Sequence, residues 1–130
     1  MTHRKMRYLD PQGGLPADTL ELANTDDPLA LGPQLRDRPS IALHFPKWTD
    51  GRAYSQAVLL RGRLRWSGEL IATGEVLADM LPLLRRCGFD AVRLRADQKV
   101  ETAERALGFL AAPARPYQNS LAERIQESAS

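Results

Sequence analysis

Three short apolar runs punctuate the middle of the chain, and each is followed by a stretch in which apolar residues recur every three or four positions. The runs are Ile41–Phe45, Glu69–Thr73 and Phe89–Leu94. Helical spacing follows over Gly51–Arg63, Glu75–Cys87 and about Val100–Leu110. Short, mostly apolar runs read as buried strands, and the three-and-four spacing reads as helices with one inner face. Strand alternating with helix predicts βα units on a parallel sheet. The expected fold class is therefore α/β: a small parallel sheet of three or more strands, possible as one half of a (β/α) barrel.

Residues that start and stop elements fit this reading. Pro46 has no N–H for a ladder and ends the first strand. Asp50 is placed to cap the first helix, with Gly51 allowing a tight turn into it. Ala53, Tyr54, Ala57 and Leu60 or Arg61 make its inner face. In the second helix that face is Val76, Leu77, Met80, Leu83, Leu84 and Cys87. Gly88 is expected at the residue just past its end. Pro82 is the misfit, since a proline deep in a helix costs about 3 kcal/mol. The pattern is rescued if Asp79 is the cap, regular helix starts at Met80, and Glu75–Ala78 forms an irregular turn. Asp97 is a plausible cap for the third helix.

Outside this core the chain is weakly patterned. Residues 1–40 are expected to be irregular, with short strands or loose cover at Leu20–Leu22 and Leu29–Leu31. Residues 41–111 carry the βαβαβα core. Residues 112–130 form a Pro-containing tail with a helical patch near Leu121–Gln126. Three strands leave two bare sheet edges. Either the N-terminal region adds a strand, or a second copy of the chain covers an edge as a homodimer.

Composition narrows the function classes. At 130 residues the chain is one domain, long enough for a core without disulfides. Net charge is only +2, with Arg interleaved among Asp and Glu, so no dedicated nucleic-acid binding is expected. The single cysteine, Cys87, excludes an internal disulfide and a Cys-based zinc cluster. With no apolar leader near Met1 and no run of membrane-spanning length, the chain is expected in the cytoplasm, away from membranes. Gly-x-Gly-x-x-Gly, a phosphate-binding loop and Cys-x-x-Cys are all absent, so neither a cofactor nor a metal is expected.

Candidate chemistry gathers where parallel strands end, because ligands of such sheets lie outside their carboxyl ends. Lys47, Asp50, Gly51, Arg52 and Ser55 follow the first strand. Gly74 and Glu75 follow the second, and Arg95 and Asp97 the third. Helix N-termini point to the same rim and favour anions, so a small oxyanion is the natural guest. The favoured alternative is that these charges pair and cap one another. His44 reads as a core or helix-covered histidine in preference to a general base. Asp50, Ser55 and His44 have the residue types of a nucleophile triad, but no Gly-x-Ser-x-Gly elbow accompanies them. Cys87 reads as a small buried hydrophobe rather than a reactive thiol. Trp48 and Trp66 are lids over helix ends or interface anchors.

Read together, these residues resemble a known family. Phe45-Pro-Lys-Trp-Thr-Asp-Gly-Arg52, Ser55, Leu60-Arg61, Gly68-Glu-Leu70, Gly74-Glu-Val-Leu77 and Arg86-Cys-Gly-Phe-Asp90 form a pattern similar to bacterial domain-of-unknown-function family 934. The resemblance spans Ile41–Leu94 and extends toward Tyr117-Gln118. Glu75 stands where the family has Asp, and Met80-Leu81 where it has Gln-Leu. Members are typically encoded beside assimilatory sulfite reductase and cysteine-biosynthesis genes. The resemblance thus implies an accessory role in sulfate or sulfite reduction, with the sulfite-reducing enzyme as partner. The alternative is a small enzyme or sensor binding an oxyanion or metabolite at the rim.

Overall fold

A computed structural model describes residues 5–111, with side chains described as far as Gly108. The tail, with the patch at Leu121–Gln126, lies outside the described residues.

Five strands form one all-parallel sheet, so the chain is an α/β protein. In chain order they are β1 (Arg7–Tyr8), β2 (Thr19–Leu22), β3 (Ser40–Phe45), β4 (Glu69–Gly74) and β5 (Ala91–Val92). Their spatial order is β1-β5-β4-β3-β2. β3 and β4 pair along their whole length, from Ser40 opposite Glu69 to Phe45 opposite Gly74. The N-terminal region supplies both outer strands: β2 lies beside β3, and β1 beside β5. Leu29–Leu31, by contrast, is turn leading into the short α1 (Gly32–Leu35).

Strand alternation divides the side chains between two faces. Ile41, Leu43, Phe45, Leu70, Ala72 and Val92 point to the helices and are fully buried. Ala42, Ile71 and Ala91 point the other way, where Leu9 and Leu15 cover them. The segment joining β1 to β2, on opposite edges, thus crosses the second face and seals it. Among the described residues helices cover one face only, an arrangement compatible with a half (β/α) barrel.

The helices depart from their expected forms for physical reasons. α2 (Arg52–Val58) continues as a π-helical turn over Leu59–Arg63. In place of one helix over 75–87 there is a 3₁₀ turn at Ala78–Met80, then α3 (Leu81–Arg86). Pro82 falls in the first turn of α3, where a missing N–H costs nothing. Met80, not Asp79, holds the cap position. Leu81 and Leu84 form the buried face of α3, so Leu83 turns outward and is exposed instead of joining the core. Gly88 follows α3 at φ +102°, as a helix-ending glycine should. Only Ala91–Val92 of the third apolar run is laddered. α4 (Val100–Ala111) buries Ala103 and Leu107. Val100, expected on its inner face, is exposed.

Candidate functional site

The carboxyl rim of the sheet is where the sequence concentrates its polar groups, and the fold divides them into two sets. Beyond β3, Asp50 accepts the backbone N–H of Arg52 at 3.0 Å and the side-chain amide of Asn24 at 2.6 Å. Gly51 itself occupies the cap position, so the carboxylate reaches into the first turn from one residue earlier than expected. Arg52 Nε lies 4.0 Å from Asp50, and its side chain is 65% exposed. Lys47 and Trp48 project from the loop, Trp48 at 55% exposure. Ser55 sits exposed on α2, one turn on.

Beyond β4 and β5, Arg95 donates to Glu75 at 2.9 Å and to both oxygens of Asp97 at 2.6 and 2.8 Å. These bonds raise the Arg95 pKa, the Asp97 bond most and the Glu75 bond next. The same guanidinium holds the Asp97 carboxyl down at about 2. Since this folded-state pKa is lowered, the pairing is complete above the ordinary carboxyl pKa near 4 and is lost as pH falls toward 2. Asp97 is therefore an ion-pair partner and not the helix cap. No ion pair or hydrogen bond links the two sets among the described residues. Each of the two arginines lies near an acid of its own set.

Gly74 adopts φ +91°, and a Cβ there would lie 2.3 Å from the Phe45 carbonyl oxygen and 2.8 Å from the His44 ring. The turn is fixed by the Glu75 N–H, which donates to Phe45 O at 2.7 Å. His44 shares the face of Ala42 and is exposed at its end, so it is neither a core nor a helix-covered histidine. Its even position in β3 places it away from the helices, which cover the odd ones. The side chains of Asp50, Ser55 and His44 make no hydrogen bond to one another among the described residues, and no nucleophile triad is assembled.

Two residues outside the expected site organise the region. Gln56 is 4% exposed, and its amide nitrogen donates at 2.8 Å to both Ala23 O and Asp26 O, pinning the loop after β2 against α2. The expected inner face omits Gln56, although it stands three residues after Ala53 and four before Leu60, the spacing that signals that face. Arg61, on the π-helical turn, uses all five N–H groups. It donates twice to Gly88 O, once each to Trp66 O and Gly68 O, and at 2.7 Å to Asp90. It also lies 5.0 Å above the Trp66 ring. Asp90 in turn accepts the Leu70 N–H at 3.1 Å. The staple ties the amino ends of β4 and β5 to the helix between β3 and β4. Leu60-Arg61, Gly68-Glu-Leu70 and Arg86-Cys-Gly-Phe-Asp90 thus serve the fold, whereas Phe45–Arg52 and Gly74–Leu77 serve the rim.

Cys87 is half-buried, and burial pushes its thiol pKa up, with Arg86 opposing. Among the described residues no group of three or more His, Cys, Asp or Glu is arranged to hold a metal ion. No helix among them is long and apolar enough to cross a membrane.

No curated protein and no solved structure matches the chain. The sequence model of one family, described as "Bacterial protein of unknown function (DUF934)", matches residues 19–126, which takes in β2 through α4 and reaches past Tyr117-Gln118. The chain therefore belongs to the DUF934 family of bacterial proteins.

Proposed function

We propose that this protein is a non-catalytic accessory of assimilatory sulfate or sulfite reduction, docking on the sulfite-reducing enzyme through the carboxyl rim. The observation that carries the docking role is Trp48, 55% exposed beside Lys47 on a rim that also holds Arg52 near Asp50 and Arg95 paired with Glu75 and Asp97. An exposed tryptophan within a ring of mixed charge is the composition of an interface anchor. The link to sulfite reduction rests on the family resemblance. The Arg95 pairing disfavours an oxyanion site there, because a guest would compete with Glu75 and Asp97 for its donors.

Affinity capture from cells growing on sulfate tests this. The tagged wild type is expected to retain the sulfite-reducing enzyme, and Trp48→Ala to lose at least about 2 kcal/mol of association with an unchanged melting temperature. Absence of the reductase from the wild-type eluate, when it is abundant in the lysate, would refute the role.

A further inference from the structure

At the opposite end of the sheet lies a concavity of about 540 Å³ that the rim does not involve. One wall is the segment from α1 to β3, and the other is the return from the π-helical turn to β4. Its volume falls within the range of small-molecule sites. The two walls are fastened together: the Trp66 indole N–H donates to Arg38 O at 3.1 Å, and Glu69 N–H to Pro39 O at 2.9 Å. The Arg61 staple holds Trp66 from below. The cavity is therefore preformed and rigid at its base.

Its polar lining is unbalanced. Arg36, Arg38 and Arg65 border it, with Asp37 as the lone acid. None of the three arginines has a carboxylate within ion-pair distance among the described residues, unlike Arg7, Arg61 and Arg95. The groove lining thus carries a net positive charge, while the carboxyl rim is balanced. Arg65 is also held at φ +53°, a left-handed conformation that costs a non-glycine residue energy and recurs at ligand sites. Beside the cations Pro33 and Leu64 offer apolar surface, backed by the buried Leu35 and Trp66.

We propose that this amino-edge groove binds a small phosphorylated metabolite. The guanidinium groups would take the phosphate through paired N–H donors. The apolar wall and a volume well beyond one inorganic anion leave room for an organic portion. This site is independent of the rim and of its proposed partner.

Tryptophan emission and ¹H–¹⁵N spectra of a Trp48→Phe protein, in which Trp66 is the sole indole, read the site directly. The probes are pyrophosphate and ribose 5-phosphate, each against sodium chloride of equal ionic strength. Saturable shifts of the Trp66 indole N–H and of amides 36–38 and 64–68 are expected at about millimolar probe or below. Arg36→Gln with Arg65→Gln, both exposed, should weaken binding at least about tenfold and leave the melting temperature unchanged, and the same pair with Trp48 intact should leave reductase capture unchanged. Failure of the chain with Trp48 intact to capture the reductase, with the groove shifts intact, would sink the docking role alone. Absence of saturable shifts with both probes, or equal shifts in the double variant, would overturn the groove site.

Discussion

Arg61 shows how much one residue can hold when every donor is used. Its guanidinium satisfies three backbone carbonyls and the Asp90 carboxylate, with Asp90 mostly shielded from water. Arg61→Ala would take the counter-charge from that carboxylate and the guanidinium donors from those carbonyls, so a loss of about 3 kcal/mol is expected in urea unfolding. Arg61→Lys should recover little, because a point charge cannot replace the five-donor fork. A midpoint within error of the wild type would show that water replaces the staple at no cost. Cys87 behaves in the opposite sense. Burial disfavours its thiolate, as it does the nearby Tyr54 phenolate, whose pKa is pushed up to about 12 mainly by burial. Labelling at neutral pH should run about tenfold or more slower than for an unstructured cysteine, and its rate should go on rising past pH 9. Labelling at the free-thiol rate would point to an accessible, activated sulfur. The pattern of the sequence left Leu60 or Arg61 open as the inward residue. Helical spacing finds a face, but it does not say that a π-helical turn lets both point inward.

At the scale of elements, the turn at Gly74 is a specific constraint. A Cβ would collide with the Phe45 carbonyl and the His44 ring at a positive φ, so Gly74→Ala should cost about 2 kcal/mol or more. Gly51 has open space around it and negative φ, so Gly51→Ala should change stability by less than about 0.5 kcal/mol. Thermal melts of the two variants side by side make the comparison, and equal effects would refute the account of the β4 turn. The central strands were legible because buried parallel strands are apolar at every position, as Ile41–Leu43 and Leu70–Ala72 are. Other features were not. His44 sits in such a run, yet among the described residues the sheet has helices on one face only, which a run of apolar neighbours does not reveal. Leu83 kept the helical spacing of its neighbours, but the buried face of α3 runs through Leu81 and Leu84 instead. The rim residues were found by position after each strand. Their pairing depends on side-chain reach between strands, which spacing along the chain does not encode.

Over the whole molecule, the N-terminal region does what the three central strands need. β1 closes the β5 edge, with Arg7 N–H donating to Asp90 O at 3.0 Å and Leu9 N–H to Val92 O at 2.8 Å. Met6 is buried in the main core, Tyr8 reaches across to Glu104 of α4, and Leu9 covers the second face. Two laddered residues are a weak strand alone, but three side chains anchor it to both faces and to a helix. Without it, the edge of β5 would present unpaired N–H and C=O groups beside newly bared Ala91 and Ile71, the arrangement that recruits another chain. A variant starting at Asp10 is therefore expected to melt at lower temperature and to elute as concentration-dependent dimers or larger species, while the full chain at the same concentration does not. Light scattering coupled to size exclusion reads both. A truncated protein that keeps the mass and melting temperature of the full chain would show that β1 neither guards the edge nor contributes to the core.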